Sequence, residues 1–244
     1  MDQAADHQVE GRRAVLEALR SGRTPDKLFV FKGAEGISQL VQDAKKAGAV
    51  IVECDRARLD GMSRSKNHQG VIGRFTELAY VTPEDILQRA KDKGEPPFLV
   101  ICDGVEDEGN LGAIIRSAEA AGAHGLILTK RRSASLSPVT IKTSAGAAEH
   151  LPVARVPGIP AALRWLKEQN VWIYGADAAG SKLVYEQDFS GACAIVVGSE
   201  GHGLSRLTAE SCDFLVKIPM RGQVSSLNVS AAAAILLFAA AQGR

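Results

Sequence analysis

The sequence predicts an α/β protein in two units, and three observations carry that prediction. Residues 1–77 alternate helical segments with short β-branched strands. Residues 78–97 then lack any strand signal and close on Gly and Pro, which marks a linker. From Phe98 to the last residue, 244, near-continuous apolar runs alternate with glycine-bearing loops, as in a parallel sheet covered on both faces.

Taken in order, the first unit reads as helix "GRRAVLEALRSG", strand "KLFVF", helix "ISQLVQDAKKAG", strand "VIVEC" and strand "GVIGRF". The linker "TELAYVTPEDILQRAKDKGEPP" holds one short amphipathic helix starting near Pro83. In the second unit the strands are "FLVICDGV", "HGLILT", "VWIYGAD", "AIVVG" and "FLVKIP". No repeat of fixed period interrupts them, and a ligand belongs in the loops beyond their C-terminal ends.

The helix after the first of these strands contains an arginine among small and apolar residues. "GNLGAIIRSAEAAG" predicts Asn110 as N-cap, a helix over Leu111–Ala121, and Gly122 just past its end. Leu111, Ile114, Ile115 and Ala118 form the core-facing stripe, and Arg116 lies beside it. The neighbours of Arg116 at three and four residues are Gly112, Ala113, Glu119 and Ala120, which let another backbone or a ligand approach. A plain surface ion pair with Glu119, Glu106, Asp107 or Glu108 is the competing reading.

Composition narrows the function classes. The net charge is +1 with acids and bases spread evenly, so bulk electrostatics gives no argument for nucleic acid. Two local clusters differ. "MSRSKNHQGVIGRF" gathers Arg64, Lys66, His68 and Arg74, and "TKRRSAS" sets Lys130, Arg131 and Arg132 in a row. Both suit phosphates, although solvated basic loops look the same. The polar start carries no secretory signal, and "VSAAAAILLFAAA" is too short to span a membrane, so a cytoplasmic protein is expected. The four cysteines lack CxxC spacing and read as reduced core thiols, with no metal site.

Three loops hold polar residues that folding alone does not require. "CDGVEDEGNLGAIIR" carries Asn110 and Arg116; "VVGSEGHGLS" carries Glu200 among Gly198, Gly201 and Gly203. "IPMRGQVSSLNVSAAAAILLF" crowds Ser225, Ser226, Asn228 and Ser230 at a helix start that needs only one cap. The first of these stretches from Asn110 onward, and the other two, closely resemble the three motifs of the SpoU family of RNA ribose 2′-O-methyltransferases, in the SPOUT superfamily. "EGRRAVLEAL" and "NHQGVIGRF" further resemble the RNA-binding domain of the RlmB type, which methylates a guanosine of 23S rRNA.

That resemblance implies a C-terminal SPOUT α/β domain with a trefoil knot, preceded by a small L30e-like RNA-binding domain. It implies a homodimer using S-adenosylmethionine, with no metal and no membrane association. Gly198, Ile218 and Leu227 would contact the cofactor, with Met220 and Gly201 nearby. Asn110, Arg116, Glu200, Ser226 and Asn228 would form the polar catalytic set. A guanidinium keeps its proton in proteins, so Arg116 suits phosphate binding and alkoxide stabilisation better than proton abstraction. Glu200 could position Arg116 or accept the proton; Ser226 and Asn228 could orient the ribose or shape the cofactor loop. Two alternatives remain open: a tRNA or another rRNA nucleotide as target, and an RNA-binding assembly factor without catalysis.

Overall fold

The computed structural model describes residues 8–20, 22–63, 66–76, 78–223, 226–242 and 244. Arg64 and Ser225 therefore lie outside the described residues. The chain divides into a unit ending at Ala79 and another starting at Tyr80.

In the first unit the chain order is β1 (Gln8–Glu10), α1 (Arg12–Arg20), β2 (Thr24–Phe31), α2 (Ser38–Lys46), β3 (Val50–Cys54), α3 (Arg56–Met62) and β4 (Val71–Thr76). The strands form a sheet of order β1-β4-β2-β3, with β2 and β3 parallel and the other pairs antiparallel. Alternation along β2 sets the two faces. Leu28 and Val30 turn towards Val15, Ala18, Leu40 and Ala44 of α1 and α2, while Phe29 turns towards Cys54, Leu59 and Ile72. α3 is absent from the sequence reading; Asp55 caps it by accepting from Arg58 N at 2.8 Å.

The second unit begins inside the predicted linker. α4 (Pro83–Asp92) starts on a capping box in which Thr82 and Asp85 satisfy each other's backbone N–H. Its Ile86 and Ala90 are fully buried, and Ile86 lies against Gly125, where a Cβ would come within 2.6 Å of Ile86 Cδ1. Composition marked residues 78–97 as a connector, yet the helix packs into the core of the second unit. Ile86→Ala should accordingly cost this unit about 2–5 kcal/mol, measured by denaturant unfolding of the full chain. A helix that merely connected would show no change.

Then follow β5 (Phe98–Cys102), α5 (Glu108–Ala120), β6 (Gly125–Thr129), α6 (Pro138–Thr143), β7 (Val153–Val156), α7 (Ile159–Glu168), β8 (Trp172–Ala176), β9 (Lys182–Leu183), β10 (Cys193–Val197), α8 (Arg206–Ser211), β11 (Phe214–Lys217) and α9 (Val229–Ala241). The strands pair in parallel throughout, in the order β7-β6-β5-β10-β8-β11-β9. β5 and β10 are buried along their whole length. Leu99, Ile101, Ile127, Ile173, Ala194 and Val196 pack with α4 and α7. Their alternates face the opposite way, where α5 and α9 bury Leu111, Ile114, Ile115, Leu236 and Leu237. No helix among the described residues is long and apolar enough to cross a membrane.

The end of this chain is tied down. Arg244 donates to the carbonyls of Gly191 (2.8 Å) and Pro96 (2.6 Å), and its guanidinium stacks 4.8 Å from the Phe98 ring centroid. All four cysteines are unpaired thiols. Burial pushes Cys102 and Cys212 up to about 12 and Cys193 to about 11, which holds them protonated and poorly nucleophilic.

Candidate active site

At β5 and β10 the sheet order reverses direction, and their C-terminal ends lie side by side. Open parallel sheets bind ligands at such a switch point. Asp103, at the end of β5, accepts from Ser205 N at 3.0 Å and so ties the two following loops together. Gly104 adopts φ 80, and a Cβ there would lie 3.3 Å from Ser199 Cβ. The sequence reading gave Asp103 no role, although an acid directly after an apolar parallel strand is the available signal.

Asn110 does not cap α5. Asp107 takes that place, accepting from Asn110 N at 2.7 Å, and the helix begins at Glu108. Both residue types cap well and stand three apart, so the acid one turn earlier wins and the Asn110 side chain is released. Gly122 follows the helix end with φ 80, in the left-handed place expected of it.

The released amide closes a ring with two other loops. Asn110 Nδ2 donates to Glu200 Oε1 at 2.8 Å; Asn228 Nδ2 donates to the same oxygen at 2.8 Å and to Asn110 Oδ1 at 2.9 Å. Asn228 caps α9, its Oδ1 accepting from Ser230 N (2.8 Å) and Ser230 Oγ (2.6 Å). Ser230 thereby supports the ring. Among the described residues Glu200 Oε2 and the second N–H of Asn110 have no hydrogen-bond partner, which leaves one acceptor and one donor free. Ser226 is exposed and two residues from Asn228, outside the ring.

Glu200 is held by a tight hairpin in which Ser199 N donates to Gly203 O (2.9 Å) and Gly203 N to Ser199 O (3.0 Å). Gly201 and Gly203 have φ 81 and 67, the left-handed region that glycine enters without strain. A Cβ at Gly198 would overlap the backbone of Gly203 and Leu204, so no other residue fits this arrangement. Ile218 follows β11, two strands from β10 and hence about 10 Å away across the sheet. Met220 and Leu227 are each 41% exposed, large apolar side chains left open in the segment between β11 and α9.

Arg116 is exposed, and among the described residues it has no ion-pair or hydrogen-bond partner. The competing reading, an ion pair with Glu119, Glu106, Asp107 or Glu108, is not realised among the described residues. It stands about 9 Å along α5 from Asn110 and about 120° around the axis, outside the hydrogen-bonded ring. Of the small residues beside it, Gly112 is filled by α6, where a Cβ would lie 2.7 Å from Thr140 O. Ala113 and Ala120 remain on the open face.

In the first unit one member of the predicted basic group is turned inwards. His68 is buried at 7% exposure, with Nε2 2.9 Å from Asp60 Oδ1 and Nδ1 accepting from Gly70 N at 3.0 Å. Its ring fixes the loop and has no donor left for RNA. Lys66, in left-handed backbone at φ 57, borders a cavity of about 650 Å³ with Arg12, Arg56, Asn67 and Gln69. Arg74 lies on β4 with its guanidinium 5.5 Å from the Phe29 ring centroid. Among the described residues no three His, Cys, Asp or Glu side chains gather to hold a metal ion.

Comparison with known proteins adds to this geometry. Residues 97–238 match the SpoU rRNA Methylase family, and residues 8–81 match the RNA 2'-O ribose methyltransferase substrate binding domain. YacO of Bacillus subtilis, assigned by name to the TrmH family of tRNA/rRNA methyltransferases, is 41% identical over 240 residues, covering 98% of this chain and 96% of YacO. A Mycolicibacterium vanbaalenii protein named as a tRNA/rRNA methyltransferase is 42% identical over 239 residues, 97% of this chain and 76% of its own. Among solved structures, the SpoU methyltransferase AviRb from Streptomyces viridochromogenes, in complex with AdoMet, superposes with a TM-score of 0.62 at 26% identity, covering 97% of this chain and 89% of that one. The AdoMet-bound rRNA methyltransferase from Sinorhizobium meliloti gives 0.62 at 29% identity, with 97% and 87% covered.

Proposed function

Because the chain belongs to the SpoU family of RNA methyltransferases, we propose that it transfers a methyl group from S-adenosylmethionine to the ribose 2′-hydroxyl of a guanosine in 23S rRNA. The observation that carries the reading is the Asn110–Glu200–Asn228 ring, with one carboxylate oxygen and one amide N–H left unsatisfied at a sheet switch point. A hydroxyl that must both donate a proton and be held in line fits that pair. Its oxygen bonds to the methyl carbon as the carbon–sulfur bond breaks, and its proton passes to Glu200 Oε2. Asn110 and Asn228 hold the carboxylate at fixed geometry, so little reorganisation is needed at the moment of reaction.

Cofactor binding falls to Gly198, Gly201, Ile218, Met220 and Leu227. The residues fit such a group: the hairpin presents backbone and glycines, and two large apolar side chains stand open for a ring or aliphatic chain. When bound, S-adenosylmethionine supplies a sulfonium-activated methyl. Ser226, beside Leu227, orients the ribose. Arg116 grips the target phosphate and stabilises the developing alkoxide, and the open face around Ala113 and Ala120 leaves room for the nucleotide.

Residues 1–77 serve RNA recognition, with Lys66 and Arg74 as contacts and Arg64 as a third outside the described residues. The trefoil knot that the family resemblance implies is supported by α9 packing back on α5 and β10. A homodimer accounts for α9, which is apolar all round yet leaves Phe238 52% exposed. Such a pair also provides a route for Arg116 to complete a site it does not reach by the ring itself.

The decisive measurement is incubation of deproteinised bacterial RNA with isotopically labelled S-adenosylmethionine, followed by mapping of the modified nucleotide. Label on one guanosine ribose of 23S rRNA is expected. Label confined to tRNA would move the target within the same chemistry. No label, with no calorimetric binding of the cofactor at millimolar concentration, would leave an RNA-binding assembly factor.

A further inference from the structure

One basic cluster plays no part in the site above. Lys130, Arg131 and Arg132 follow β6 directly, and β6 is the neighbour of β5 on the side away from β10. We propose that this loop is a second RNA contact, carried by the catalytic unit itself, which binds phosphates of the strand next to the target nucleotide. The proposal rests on the reading of this unit as an RNA methyltransferase and adds a contact surface to it.

Placement is the first argument. Ala134 N donates to Val105 O at 2.8 Å, which joins the basic loop to the loop leading from β5 into α5. The cluster therefore stands at the C-terminal edge of the sheet, about 5 Å or one strand spacing from the end of β5. RNA that presents a ribose to Asn110 and Glu200 carries its flanking phosphates along this edge.

Construction is the second. Lys130 N donates to Val156 O at 2.9 Å, and Thr129 Oγ1 donates to Arg131 O at 2.6 Å. Beyond the cations, Ala134, Ser135 and Leu136 are buried at 6%, 8% and 1% exposure, and Leu136 N donates to Tyr80 Oη at 2.9 Å, which anchors the far end of the loop. Arg132 sits at φ 52, a conformation that costs a non-glycine residue of order 1 kcal/mol. Glycine would fill that position without strain. An arginine kept there, on a loop whose backbone is fixed and whose side chains Arg131 and Arg132 are exposed, points to a use for its charge.

Charge pairing is the third. Glu106, Asp107 and Glu108 lie across the Ala134–Val105 hydrogen bond, yet among the described residues none of them pairs with Lys130, Arg131 or Arg132. Asp107 is committed to capping α5. A loop whose cations served the fold would take these acids as partners. Left unpaired, the three cations offset the repulsion that the acidic loop would exert on an approaching phosphate backbone, and arginine forks bind phosphate bidentately.

The test compares the full chain with K130Q/R131Q/R132Q and with the single variants R131Q and R132G, using a fluorescent mixed-sequence RNA hairpin across a salt series. The triple variant should bind at least about tenfold more weakly at 0.1 M salt, and its log-log salt slope should fall by about two, as expected when two to three phosphate contacts are lost. Affinity for S-adenosylmethionine and melting temperature should stay at wild-type values. R132G relieves the backbone strain, so it should melt no lower than wild type and still bind RNA more weakly. RNA affinity and salt slope equal to wild type in the triple variant, or in both single variants should the triple fail to fold, would overturn the proposal. Failure of the wild-type chain to methylate RNA would instead remove the enzymatic reading on which it stands.

Discussion

Arg116→Ala is expected to lower the single-turnover rate of methyl transfer by about a hundredfold to a thousandfold, the range for losing one electrostatic contact to a developing oxyanion. Melting temperature and cofactor affinity should hardly move. The guanidinium is exposed and has no partner among the described residues, so its removal opens no cavity and strands no buried charge. Alanine is also the better helix former in the middle of α5. If the arginine were instead a structural tie, stability and rate would fall together. Arg116→Lys refines the outcome: it keeps the charge but loses the planar fork, and most activity should go with it. Wild-type turnover in a folded, cofactor-binding Arg116→Ala protein would end the assignment.

Gly198→Ala should be nearly as severe, by a different route. The added methyl would overlap the backbone of Gly203 and Leu204. That backbone cannot retreat without breaking the paired Ser199–Gly203 hydrogen bonds of 2.9 and 3.0 Å, and with them the placement of Glu200. Overpacking of this kind costs about 1–3 kcal/mol in stability, occasionally more. Affinity for S-adenosylmethionine should fall roughly a hundredfold, about 2.7 kcal/mol, in a calorimetric titration. Gly201→Ala makes a fair contrast, since nothing lies within 4 Å of its Cβ position and only the φ of 81 resists substitution. Equal, mild losses in both variants would show that Gly198 is not set by close packing.

The central strands of the second unit were legible because burial on both faces removes polar residues, as in "FLVICDGV" and "AIVVG", and because glycine-bearing loops bound them. Short edge strands were not: Gln8–Glu10 and Lys182–Leu183 are exposed or half-buried and carry no apolar run, and Val153–Val156, though mostly buried, has its run broken by Arg155. Composition hid the anchoring of residues 83–92 because two fully buried side chains, Ile86 and Ala90, with Leu87 partly buried beside them, hold a helix whose other residues are mostly charged. The cap of α5 was ambiguous in principle, since Asp107 and Asn110 both cap well and only packing decides between them. Sequence grouped Asn110, Glu200 and Asn228 through resemblance, while their hydrogen-bonded ring needed coordinates. It also grouped Lys66 with His68, whose ring is spent inside the fold; a basic neighbourhood says nothing about which side chain turns inwards.

The pairing of β5 with β10 also has a consequence in time. Phe98 leaves the ribosome long before Cys193, its neighbour across the sheet, and Asn110 long before Asn228. Until β10 arrives, β5 has apolar faces and an open edge, a species prone to associate with other nascent chains. Topologies that close such distant contacts fold slowly. The ring is therefore completed late: a chain broken off before α9 holds Asn110 and Glu200 but not Asn228, which bonds both.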